Sequence, residues 1–214
     1  NMAGNCIFDD EACCEASKQE IIRRYFKSLC EKRRKGTTKD DIYKLELLMK
    51  QAEITVEDRK VTIAALEKEK ATNEKPAVAI ELPDGRIVTG GTSELLGAAS
   101  SALLNALKVL GEIEDDIKLI DPKAIEPIQA LKINYLGSRN PRLHTDEVLT
   151  ALSSTASYSE VAALAMRQLP LLKGCDAHST VLLSSVDEQI LKKLGIQLTC
   201  EPRYEEDERM YHKH

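Results

Sequence analysis

The sequence predicts an α/β fold, with a helical N-terminal segment followed by small mixed β-sheet layers packed with helices. Three observations carry this reading. Residues 9–75 show helix-period apolar spacing punctuated by capping residues, residues 76–89 switch to two short apolar runs around Pro83, Asp84 and Gly85, and the remainder alternates helical stretches with short apolar runs. The 214 residues, 43% of them apolar, are enough to bury a genuine core. We divide them into a helical segment over 1–75, an α/β domain over 76–204 and a charged tail over 205–214.

Each element has a local cause. Over 9–35, the acidic start Asp9, Asp10 and Glu11 and the basic end Lys32 to Lys35 suit the two poles of a helix dipole, and Gly36 stops the helix. Thr38 and Asp41 form a capping box for a second helix with the stripe Ile42, Leu45, Met49 and Ala52. Thr55 and Asp58 repeat the box before a third helix, which ends in the charged run 67–75. Residues 77–82 and 86–89 flank a tight turn and read as a β-hairpin. Residues 93–110, nearly uncharged and rich in small side chains, read as a central helix ended by Gly111. Residues 116–120 read as a strand, and Asp121 with Pro122 opens a helix reaching 136 past Pro127. Helices follow over 145–155 and 157–169, then a strand over 180–184, a helix over 187–194 stopped by Gly195, and a strand over 196–200.

Composition excludes several function classes. The net charge of -5 comes from 35 acidic and 30 basic residues interspersed along the chain, so no basic face exists to attract a nucleic acid. No apolar run approaches the ~20 residues needed to cross a bilayer, and the first ten residues lack the regions of a signal peptide, so no membrane partner and a cytoplasmic location are expected. Six scattered cysteines with no CxxC pair read as reduced thiols. Asn1 in the first position is expected of a truncated or processed product.

Three long runs bear on kinship: PAVAIELPDGRIVTGGTSELLGAASSALLNALKVL, IEPIQALKINYLGSRNPRLHTDEVLTALS and LKGCDAHSTVLLSSVDEQILKKLGIQLTCEP. Together, in this order, they resemble the C-terminal part of the bacterial domain-of-unknown-function 1846 family, most firmly over residues 76–202. The resemblance implies a longer protein with a further N-terminal region, and it brings no established activity. The chain has neither an HExxH metal-binding pair nor a complete phosphate-binding loop.

Chemistry is expected in three places. Gly90, Gly91, Thr92 and Ser93 form a small-residue turn between a strand and a helix, whose free N–H groups suit a phosphate or carboxylate; capping alone also explains Thr92 and Ser93. Asn140, Arg142, His144, Thr145, Asp146 and Glu147 form a polar loop entering a helix. There Arg142 can grip an anion, His144 can exchange protons, and Asp146 or Glu147 can orient it or bind a metal, while Thr145 reads as the helix cap and Asp146 and Glu147 also suit the helix dipole. Cys175, His178 and Ser179 precede a strand, with Cys175 and His178 spaced as a nucleophile and base or as two soft ligands, or else as a buried thiol and a loop histidine.

The sharpest expectation is that His144 and His178 meet in one cleft with Arg142, Asp146, Cys175 and Ser179 around them. Two functions compete. In one, the chain supplies part of a site for a small anionic or phosphorylated ligand, its cofactor undefined. In the other it is an assembly module whose first two helices pack on the N-terminal region of the same protein or on a second copy in a homo-oligomer.

Overall fold

The structure, a computed structural model, describes residues 9–36 and 39–205; Cys6, the Thr38 cap and the tail from 206 lie outside the described residues. The chain divides into two units, with the boundary between Lys60 and Val61.

In the first unit, α1 (Asp10–Lys35) starts where the Asp9 carboxylate accepts the Ala12 N–H at 2.9 Å. It ends where Gly36, in the left-handed region at φ 75°, donates to the Lys32 carbonyl. Ile22 and Phe26, one turn apart on α1, pack with Met49 of α2 (Lys39–Gln51) and with Ile54. The Thr55–Asp58 box is present, but it opens a single 3-10 turn, Val56–Asp58, ahead of the third helix. Gln19 ties that turn to α1 by donating to the Asp58 carbonyl and accepting from Arg59.

The second unit opens at Val61 in α3 (Lys60–Ala71), a helix that sequence alone groups with the preceding segment. A four-stranded mixed sheet follows, in the order β2-β1-β3-β4, from β1 (Ala77–Glu81), β2 (Ile87–Gly91), β3 (Asp176–Ser179) and β4 (Gln197–Cys200). The β1–β2 hairpin turns at Gly85, φ 82°, with Asp84 accepting from both the backbone and the guanidinium of Arg86. β1 runs antiparallel to β2 and β3, whereas β3 and β4 are parallel and joined through α8 (Ser185–Lys193).

The pleat sorts the strands' side chains onto two faces. Val78, Ile80 and Ala177 join the main core with α4 (Ala98–Leu110), α6 (Thr145–Thr155), α7 (Glu160–Arg167) and α8. Leu103, Leu107, Leu143 and Leu152 are fully buried there, each contributing about 1.5–3 kcal/mol. On the other face Ala79 packs with Val61 and Ala65 of α3, in register with His178 and Thr199.

The small-residue helix α4 lies against β2 so closely that a Cβ on Gly90 would sit 2.0 Å from the Ala102 nitrogen. The glycine is needed for that approach.

Four local expectations change. Residues 116–120 form a turn in which Leu119 and Ile120 are buried against the main core without joining the sheet. The central helix starts at Ala98, because Leu96 makes a parallel bridge with Leu143 and holds the preceding chain extended. The strand expected over 180–184 is set earlier, at Asp176–Ser179. The helix α7 is capped by Ser159, whose hydroxyl accepts the Ala162 N–H, in place of Ser157.

Candidate functional site

A pocket in the second unit is lined by the start of α4 at Gly97, Ala98 and Ala99, by Asn140, Arg142 and His144, and by Ser184, Asp187 and Glu205. Its loop is built by short-range bonds. The Asn140 side chain accepts the Arg142 N–H at 3.0 Å, and the Lys132 ammonium on α5 (Pro122–Asn134) donates to the Arg142 carbonyl at 2.6 Å. Leu143 donates to Leu95, and its own carbonyl accepts from Gly97 N–H and from the Ser100 hydroxyl. The loop and the start of α4 are therefore fixed to one another.

His144 is the N-cap of α6, displacing Thr145 from that role. Its N–H donates to Glu147 at 2.8 Å, and Glu147 also pairs with Lys132 at 2.7 Å. The imidazole Nδ1 lies 2.9 Å from Oδ2 of Asp187, at the start of α8. Asp187 is buried, and its other oxygen accepts both the N–H and the hydroxyl of Thr145. The Ser184 hydroxyl donates to Oδ2 and accepts the Asp187 N–H. One carboxylate thus anchors the starts of α6 and α8.

The hydrogen bond that His144 donates to Asp187 holds the His144 pKa above its ordinary value, against the opposing effect of burial. Burial pushes the Asp187 carboxyl up, but the hydrogen bond and charge of His144, with the Thr145 and Ser184 bonds, bring it below its usual range.

This is no serine nucleophile triad. Ser184 lies 3.4 Å from the same Nδ1 that faces Asp187, and its proton goes to the carboxylate, so the imidazole does not activate it. With Nδ1 occupied, Nε2 is the ring nitrogen left to meet a ligand, as a donor when protonated and an acceptor when neutral.

The expected convergence of His144 and His178 does not occur. His178 is fully buried on the sheet face toward α3, with Nδ1 2.9 Å from the Thr199 hydroxyl and Nε2 3.4 Å from Glu201. Cys175 faces the opposite side, in the main core, and burial raises its pKa. The two therefore form neither a nucleophile–base pair nor a pair of ligands. Ser179 is buried and its hydroxyl donates to the Val181 carbonyl. Asp146 lies in the first turn of α6 with Oδ1 buried.

Gly90 and Gly91 are strand residues paired with Val78 and Ala77, so the small-residue turn is not a helix entry. Thr92 binds the Pro76 carbonyl and lines the pocket, and Ser93 caps its own loop through Leu96. The pocket thus gathers Thr92, Asn140, Arg142 and His144 from two of the three expected places. Ser184 and Asp187 were missed as partners, although a serine followed three residues later by an aspartate is a capping-box signature. Among the described residues no group of three or more His, Cys, Asp or Glu side chains is placed to hold a metal ion.

Fold and pocket together define an α/β protein whose pocket sets a carboxylate-pinned histidine and an arginine beside the start of the central helix α4. The chain belongs to the domain-of-unknown-function 1846 family: residues 57–211 match the domain described as "Domain of unknown function DUF1846, C-terminal" and residues 1–53 match the corresponding N-terminal domain. It is 53% identical over 204 residues to the UPF0371 protein cu0538 of Corynebacterium urealyticum, covering 95% of this chain and 41% of that protein. It is 51% identical over 213 residues to a UPF0371 protein of Streptococcus sanguinis, covering 100% of this chain and 43% of that one. The chain spans about two-fifths of the length of these curated relatives. No helix among the described residues is long and apolar enough to cross a membrane.

Proposed function

We propose that the chain contributes a binding site for a small anionic or phosphorylated ligand, within a longer protein of which it forms the C-terminal part. The observation that carries this reading is His144, pinned through Nδ1 to buried Asp187 while its ring lines the same pocket as Arg142 and the start of α4. Three sources of positive potential share that wall. Arg142 is a fixed cation, His144 gains charge as its proton is held by Asp187, and the first-turn N–H groups of α4 have no side-chain cap at Gly97. An anion there would receive an Nε2–H bond from protonated His144, and a ligand that gives up or takes a proton could exchange it at that nitrogen. The longer relatives support a site completed by further chain.

The test is a thermal-shift screen of nucleotides, sugar phosphates and divalent metals, with Arg142→Ala and His144→Ala as controls. A stabilising anion should raise the melting temperature in proportion to the logarithm of its concentration, and both variants should lose that shift. A shift retained in full by both variants would remove the assignment.

A second reading, an assembly surface, draws on Tyr43, Leu47 and Leu48 of α2, which are exposed at 68%, 46% and 42%. Self-association abolished by Tyr43→Ser with Leu47→Ser would favour it; a monomer at high concentration would count against a second copy as the occupant.

A further inference from the structure

We infer that the segment after β4 is a built-in competitor for this pocket, with the Glu205 carboxylate holding Arg142 where a ligand's anionic group would bind. The inference rests on the anion-binding reading above. Arg142 Nη1 lies 2.7 Å from Glu205 Oε1, and the two side chains are only 23% and 16% exposed. Glu205 lines the pocket together with His144, Asp187 and the start of α4.

The segment is brought there by its own anchors. Glu201 N–H donates to Ser179, Leu182 N–H donates to the Arg203 carbonyl, and Arg203 donates through Nε to the Thr180 carbonyl and pairs with Glu69 of α3. Arg203, two residues before Glu205, is thus tied to the sheet and to α3, so the carboxylate is held at a high effective concentration beside Arg142.

The two acids of the pocket differ in how tightly they are held. Asp187 is fixed by Thr145 and Ser184 as well as His144, so removing it from the site would break several buried bonds. Glu205 bonds Arg142 and no other described residue, which makes it the exchangeable one. A carboxylate or phosphate that takes Nη1 of Arg142 must displace Glu205, and by reciprocity any event that draws the segment away must strengthen that ligand.

The experiment titrates inorganic phosphate into the parent protein, Glu205→Gln, Arg142→Ala and the double variant by calorimetry. Glu205→Gln keeps the side chain's size, removes its charge, and should bind phosphate about fivefold to tenfold more tightly, the scale expected for losing one partly buried arginine–carboxylate contact. Arg142→Ala should weaken binding whether or not Glu205 is changed, because the competition acts through that guanidinium. If Arg142→Ala weakens phosphate binding but Glu205→Gln leaves it unchanged or weaker, the competition is overturned while the binding site stands. If neither the parent nor Glu205→Gln binds phosphate, the anion reading fails and this inference fails with it.

Discussion

A methyl group placed on Gly90 separates packing from ligand binding in the small residues that end β2. Its carbon would stand 2.0 Å from Ala102 N, 2.5 Å from Ala102 Cα and 2.6 Å from Ser101 C. Ordinary contacts between such atoms lie near ~3.5–4.0 Å, and all three belong to backbone, which no rotamer change can move aside. Helix α4 would have to retreat from β2 by about 1 Å or more, and α4 carries Leu103 and Leu107 into the core. We therefore expect Gly90→Ala to cost about 3 kcal/mol, the upper end for overpacking, and to lower the melting temperature by roughly 6–12 °C in a domain of this size. Gly91→Ala is the control. Its nearest neighbours are the ends of the Lys68 and Thr72 side chains at 3.8 Å, and it should stay within about 0.5 kcal/mol of the parent. The assay is thermal and urea unfolding of both variants. A Gly90→Ala melting point within about 2 °C of the parent, or an equal loss in Gly91→Ala, would refute the packing account.

The His144–Asp187 pair predicts a pH profile. The His144 pKa is raised, so its contribution to stability is complete below the ordinary value of 6.5 and is lost as pH rises through the folded value; the Asp187 pKa is lowered, so its contribution is present above 3.8 and is lost as pH falls through the folded value. The pair should stabilise most between these two ordinary values, and Asp187→Asn should lower the His144 titration followed by NMR; an unmoved titration would sink the coupling. Lys132, only 6% exposed in its side chain, holds both Glu147 and the Arg142 carbonyl, so Lys132→Met should cost about 1–3 kcal/mol in urea unfolding and loosen the pocket loop. A loss below about 0.5 kcal/mol would mean that water replaces the ammonium without penalty.

The fold class was legible because periodicity, turn chemistry and capping agree in most segments. The hairpin at Gly85 and the helix over Thr145–Thr155 follow from a few residues each. What failed was the step from apolar run to strand. Thr180 to Leu183 look more strand-like than Asp176 to Ser179, yet the latter pair with both β1 and β4. Thr180 and Leu182 are buried too, bonded to Ala77 and Arg203, but as the exit from the sheet. Leu119 and Ile120 show the same ambiguity, since burial without a ladder has no distinct sequence pattern. At the site, Arg142 and His144 stand out in the sequence because Thr145 reads as the cap and leaves both without a local role, although the structure makes His144 itself the cap. The role of Asp187 depends on a contact 43 residues away from His144, a distance across which sequence spacing carries no information. His178 misled for the opposite reason: a histidine three residues from a cysteine looks reactive until the chain buries them on opposite sides of the sheet.

The sheet's seam between β1 and β3 sets the order in which this unit can assemble. Ala79 meets His178 there, about a hundred residues along the chain, whereas β1 with β2 and β3 with β4 close within short stretches. Loop closure over that distance is the costly step, so the hairpin with α4 and the β3-α8-β4 unit are the natural early pieces. Their meeting also brings the helix α8, with Asp187, to the loop that carries His144. The pocket's histidine thus draws its charge partner from the far side of that closure, so its titration reports whether β3, α8 and β4 are in place.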